Sequence, residues 1–277
     1  SHLGGRGMTA APDRDLIVVY DFGQESTQSD GERPSPPSQY YARLTQRLIS
    51  ALSVPTAEGT LYEVDMRLRP SGQQGPVATQ LSSFIDYQAE QAWTWEHMAL
   101  TRARVVAGPP ELRAKVEAAI HQALTAPHDR EKVAADVRDM RERVFKEKGS
   151  DDIWELKRAR GGLVDLEFIA QHLQLVHAHA HPEILDQNTA GAYRKLSEAG
   201  LLTAAHAEIL IPAAQLTNDL TQILRLCLEG PFNPETAPSG MKALLAQAGG
   251  EVNFEALEAR LRATQTAVTA LFDEIIT

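Results

Sequence analysis

A single cysteine, Cys227, in 277 residues excludes an internal disulfide and a zinc site built from cysteines alone, and it fits a reducing, cytoplasmic compartment. No apolar run approaches the roughly 20 residues that a membrane-spanning helix needs, so no membrane partner is expected. Positive charge is also scarce. Lysine and arginine number 27 against 37 aspartates and glutamates, giving −10 and a pI near 5.4. Long-range electrostatics therefore repel a polyanion, which argues against broad nucleic-acid binding. The nine histidines contain no HExxH-type pair. His177, His179 and His181 alternate, a spacing open to a metal tract, but we read them as a fraying helix end, where histidine suits the dipole. No internal repeat is found and no signal peptide stands at the start; the opening Ser1-His2 reads as an expression scar on an excised fragment.

What is present begins with a glycine-rich turn, Leu3 to Asp15, feeding the apolar strand Leu16-Ile-Val-Val-Tyr20. Residues 24–39, dense in Ser, Gln and Pro, read as an exposed loop. Helical periodicity over Tyr40–Leu52 places Tyr41, Leu44, Leu48, Ile49 and Leu52 on one stripe. Leu61–Pro70 then alternates strictly, with Glu63, Asp65, Arg67 and Arg69 on one side and Tyr62, Val64, Met66 and Leu68 on the other. That pattern predicts one strand with an apolar back and a charged front. Beyond about Val77 the pattern is helical throughout, in segments near 81–106, 111–126, 130–147, 163–179, 189–199, 204–229, 241–248 and 253–276, with a short extended piece at Ile153–Lys157. The fold class expected is α+β: a small sheet unit over 1–106 followed by a helical bundle over 107–277.

The charged front suggests chemistry. Asp13 and Asp15, two apart at the head of a strand, project to one side. With Asp65 on a neighbouring strand they form an oxygen-ligand set suited to Mg²⁺, which keeps some of its waters and takes the rest from carboxylates and substrate phosphates. Gly4-Gly5 lets backbone N–H groups approach a phosphate, and Arg67 and Arg69 offer bidentate phosphate contacts. The combination points to nucleotidyl transfer.

Leu3-Gly-Gly…Asp13-Arg-Asp-Leu16 resembles the signature of the polymerase-β-type nucleotidyltransferases. More narrowly, Gly59–Gly72, Glu90–His97 and Thr101–Val105 resemble the glutamine synthetase adenylyltransferase family, and Gly161–Phe168 with Gln171 resembles its helical domain. The Glu-Val-Asp and Pro-Ser-Gly versions are similar to the half that attaches AMP. The resemblance implies that Asp13, Asp15 and Asp65 carry Mg²⁺, and that ATP donates AMP to a tyrosine of glutamine synthetase, with Asp65 assisting its deprotonation. It also implies control by a PII signalling protein. The alternatives are phosphorolytic removal of AMP and a non-catalytic docking module for the synthetase or PII. Gly7, Pro12 and Arg14 depart from the family pattern, and the helix expected before Leu3 is missing.

Other residues have plainer expectations. Trp93, Trp95 and Trp154 read as core, Glu96-His97 as structural, and Asp165 as a first-turn acid satisfying free N–H groups. Lys157, Asp165 and Glu167 match the family's helical-domain motif without an assignable role. The charge runs 129–132 and 141–143 read as solvated helix faces.

Overall fold

The computed structural model describes residues 14–23, 27–57, 59, 60 and 63–277. Gly4, Gly5, Gly7, Pro12, Asp13, Leu61 and Tyr62, together with the side chain of Arg14, lie outside the described residues. The chain divides into two compact units, the first running to Ala123 and the second from Leu124 onward.

In the first unit, residues 14–20 form two short strands, β1 (Arg14–Asp15) and β2 (Val19–Tyr20). They take different partners. β1 pairs in parallel with β5 (Val64–Asp65), and β2 pairs in parallel with β6 (Thr79–Gln80). Backbone bonds bridge the gap: Leu16 N donates to Asp65 O at 2.8 Å and Thr79 N to Val18 O at 2.9 Å. The expected single strand is thus an extended run that changes partners midway.

Helix α1 (Pro37–Ser53) links the two paired segments, with Pro37 in the first turn, where its missing N–H costs nothing. Its footing is light. Thr45 is buried and Tyr41 stacks on Tyr20 at 4.3 Å, whereas Tyr40, Leu44 and Leu48 are exposed. A hairpin of β3 (Pro55–Thr56) and β4 (Gly59–Thr60) follows, with Gly59 at φ 100°. The sequence reading did not contain it.

The segment expected as one helix over 81–106 is two, α2 (Leu81–Glu90) and α3 (Thr94–Leu100). The Glu96 side chain accepts the Trp93 N–H at 2.9 Å, which starts a new helix after the break. The break overturns the reading of Trp93 and Trp95 as core: they are 67% and 41% exposed. Helix α4 (Pro110–Leu124), expected at the head of the helical domain, groups with the first unit. Lys115 on α4 reaches Asp21, just past β2, at 2.9 Å.

The second unit is all helical among the described residues: α5 (Arg130–Lys148), α6 (Leu163–His177), α7 (Thr189–Glu198), α8 (Ala204–Cys227), α9 (Ser239–Ala248) and α10 (Phe254–Ile275). Side-chain caps at Asp129, Asn188, Thr203 and Asn253 accept first-turn N–H groups and fix four of the starts. Helix α6 is apolar on nearly every side and buried over most of its length, so it is the central element. Ile153–Lys157, expected to be extended, is a series of turns. Those turns place Trp154 against Phe254 at 5.2 Å and Phe232 at 4.8 Å in a cluster with Leu216, Leu220, Leu245, Leu257 and Leu261. The indole N–H of Trp154 is not wasted: it donates to Glu258 at 3.0 Å. Helix α6 ends at His177, and His179 bonds the Thr125 carbonyl at 3.0 Å, consistent with the helix-end reading of the alternating histidines.

Arg141 is the largest correction in this unit. Expected on a solvated face, it is fully buried, and its guanidinium meets the equally buried Asp165 carboxylate. It also donates to the Arg158 and Ala159 carbonyls at 3.3 and 3.2 Å. Asp165 in turn accepts the Gly161 N–H, so it both satisfies an N–H ahead of α6 and neutralises a buried cation. Gly161, at φ +73°, has no room for a side chain, since a Cβ would stand 1.9 Å from the Gln265 carbonyl oxygen. Lys157 is exposed and contributes its carbonyl to Val164 N at 3.2 Å, and Glu167 is half-buried on α6.

Candidate functional site

The parallel pairing of β1 and β5 decides where the acids stand. Its register sets Arg14 beside Val64 and Asp15 beside Asp65. Registered residues on adjacent strands share a face, and neighbouring strands lie about 4.8 Å apart. Asp15, half-buried, and Asp65, whose side chain is 16% exposed, are therefore side by side although 50 positions separate them in the chain. Asp13 lies outside the described residues, as do Gly4 and Gly5.

The charged front around Asp65 differs from the expected ladder. Strand pairing stops at Asp65 and the chain turns over residues 67–71. Arg67 folds back, its backbone N–H on Asp65 Oδ1 at 2.8 Å and its guanidinium Nε on Oδ2 at 2.7 Å. The Arg67 side chain is 70% exposed. These hydrogen bonds from the Arg67 guanidinium, with smaller help from its backbone N–H and from the charges of Arg67 and Arg69, hold the Asp65 carboxyl below the usual carboxylate range against its partial burial. Asp65 is accordingly ionised at neutral pH. Such a carboxylate suits holding a cation better than taking a proton.

Arg69 points elsewhere. It is only 9% exposed, and its guanidinium donates to the carbonyls of Met66 at 2.7 Å, Gln73 at 3.2 Å and Gly75 at 3.3 Å. The structure thus brings Asp15, Asp65 and Arg67 together and turns Arg69 inward. Asp15 and Asp65 supply two hard carboxylate oxygen donors of the kind Mg²⁺ takes, and among the described residues no third His, Cys, Asp or Glu joins them to complete a metal site.

A part-buried polar chain runs from Tyr87 to Glu96. The Tyr87 hydroxyl donates to the Glu96 carboxylate, 3.0 Å from each oxygen, and lies against the Ser71 backbone. His97 Nε2 stands 2.9 Å from the Gln88 carbonyl, in keeping with a structural Glu96-His97 pair. The sequence reading missed Tyr87; its signal was an aromatic hydroxyl nine residues before an acid, across a helix break.

Residues 1–119 match the family model described as glutamate-ammonia ligase adenylyltransferase, and residues 131–276, more than half the chain, match the model described as GlnD PII-uridylyltransferase. Two proteins named bifunctional glutamine synthetase adenylyltransferase/adenylyl-removing enzyme, from Rhodopseudomonas palustris strains TIE-1 and BisB5, are each 53% identical over 274 residues. The like-named protein of Bradyrhizobium diazoefficiens is 51% identical over the same length. In each case the match covers 99% of this chain and 28% of the relative, so the chain spans little more than a quarter of the proteins it matches. With both family models and these relatives covering it nearly end to end, the chain belongs to the glutamine synthetase adenylyltransferase/adenylyl-removing enzyme family.

Proposed function

We propose that this chain carries the nucleotidyltransferase unit and helical domain that attach AMP from ATP to a tyrosine hydroxyl of glutamine synthetase. The observation that carries the reading is the Asp15–Asp65 register on parallel strands, which assembles an acidic pair from two distant segments. Asp15 and Asp65, with Asp13 supplied by the preceding residues, would hold Mg²⁺, which when bound supplies charge stabilisation for the triphosphate. Arg67, already at the carboxylate and largely exposed, is placed to shift toward phosphate oxygens as charge develops on the leaving pyrophosphate. The tyrosine oxygen attacks the α-phosphorus, the bond to pyrophosphate breaks, and the phenolic proton leaves to solvent or a nearby base. Positioning and electrostatics supply most of the rate. The Gly59–Gly72 and Glu90–His97 motifs favour the AMP-attaching half over its deadenylylating counterpart, and a PII-type protein is the expected regulator.

The test is direct. Incubating the chain with Mg-ATP and unmodified glutamine synthetase should give AMP incorporation, whereas incubating modified synthetase with phosphate should give no release. Release alone would favour the adenylyl-removing reading. Calorimetric silence toward Mg-ATP would leave a docking module instead.

A further inference from the structure

We propose that Arg69 is a positioning residue that shapes the loop 66–75, so that Arg67 and Asp65 are presented together. The catalytic part of this proposal rests on the AMP-transfer reading; the conformational part does not.

A guanidinium that is 9% exposed and directed at three carbonyls has most of its donor capacity committed within one ten-residue loop. It ties Met66, at the exit of β5, to Gln73 and Gly75 at the far side of the turn. The loop needs such a tie because its backbone is unusual. Ser71 sits at φ 60°, ψ 16°, the only non-glycine residue with positive φ among the described residues. A left-handed conformation is strained for a residue with a side chain and persists where the surroundings over-determine it. Gly75 adds a second constraint, since a Cβ there would stand 2.0 Å from the Pro70 carbonyl oxygen.

The surroundings that hold Ser71 are visible. The Ser71 backbone lies against the Tyr87 hydroxyl, which donates onward to the buried Glu96 carboxylate, and Glu96 also takes the Trp93 N–H. Four loop N–H bonds complete the turn: Arg69 to Met66 O at 3.3 Å, Gly72 to Arg69 O at 2.8 Å, Gln74 to Ser71 O at 3.2 Å and Gly75 to Gly72 O at 3.3 Å. Arg67 leaves this loop at its first turn and reaches back to Asp65 with both backbone and side chain. Releasing Arg69 would free the loop and, with it, the direction in which Arg67 presents its charge. A lysine cannot substitute, because one ammonium on a flexible stem does not span three carbonyls held by a planar fork.

Hydrogen exchange on the nucleotide-free chain tests the conformational claim. In Arg69→Met and Arg69→Lys the amides of Gly72, Gln74 and Gly75 should exchange at least about tenfold faster, while those of α6 and α10 stay unchanged. AMP transfer to glutamine synthetase should lose roughly 10–100-fold in kcat, with the KM for Mg-ATP little altered and no rescue by lysine. Gly75→Ala, whose Cβ would meet the Pro70 carbonyl oxygen, should open the same loop without altering the Arg69 side chain, speeding Gly72 and Gln74 exchange with the same kcat loss, and it decides the matter where an Arg69 variant does not fold. Unchanged loop exchange, with a raised KM for Mg-ATP that lysine restores, would make Arg69 a direct phosphate ligand and overturn the proposal. A wild-type chain that neither binds Mg-ATP nor transfers AMP would sink the function, while the exchange result would still judge the loop.

Discussion

The two units use their residues differently. The helical unit buries most of the apolar side chains, closes four of its helices with side-chain caps, and spends its one buried ion pair, Arg141–Asp165, on architecture. The first unit is held by two-residue strands, a helix with one buried residue and a loop tied by Arg69, yet it carries the acids and the exposed arginine. Stability is not uniform across a structure, and segments that bind or react are drawn from the less stable end. The contrast teaches that the helical unit is held by its buried core, whereas the first unit leaves its charged side chains on lightly supported segments, where the proposed chemistry would lie.

The sharpest way to break this comparison is to remove chemistry without touching stability. Asp65→Asn should cut AMP incorporation by about 10³-fold or more with an unchanged denaturation curve, because the carboxylate charge is lost while its shape remains. Full activity would remove Asp65 from the mechanism. The converse experiment is Asp165→Asn in the helical unit, which leaves the Arg141 guanidinium buried without its counter-charge. Urea unfolding should show a loss of about 3–5 kcal/mol, and Arg141→Met combined with Asp165→Leu should recover most of it, as an apolar pair fills the same space.

A smaller effect comes from His172 on α6, fully buried with neither ring nitrogen hydrogen-bonded among the described residues. Burial, with lesser contributions from the nearby Arg130, His177 and Arg138, pushes its pKa down from 6.5 to about 4. The folded state therefore refuses a proton that the unfolded chain accepts. Stability should be fully present above about pH 6.5 and fall as the pH drops toward 4, by up to about 3 kcal/mol. His172→Leu should flatten that slope in denaturant midpoints measured across the range. The smallest effect expected is Asn253→Ala, which deletes the 2.8 Å cap on the Ala256 N–H and should cost about 1 kcal/mol.

Much of this was legible in the sequence, unevenly. The later helices fall within a few residues of the periodic segments, and Asn253 caps α10 as expected, because a one-sided apolar stripe and a capping side chain are local signals. Arg141 was misread because its neighbours in the run are charged. The clue was its spacing from the buried Val137 and Ala134 on the same helix, which puts it on the inward stripe. The charged alternation of Glu63 to Arg69 suggested one long strand, but alternation does not say where pairing ends, and Arg69 turned inward to carbonyls that no sequence pattern marks. Trp93 and Trp95 looked like core on composition; the helix break that exposes them depends on Glu96 and Tyr87 meeting in space.

The sequence by itself determined the family and the order of a short-stranded segment followed by helices, since periodicity, composition and motif are written along the chain. Tertiary structure alone decided that Asp15 stands beside Asp65, that Arg67 meets the Asp65 carboxylate while Arg69 turns to the loop carbonyls, and that Arg141 is buried. Those outcomes follow from strand register and from which carbonyls and carboxylates come within hydrogen-bonding distance, and neither is fixed until segments far apart in the chain have packed.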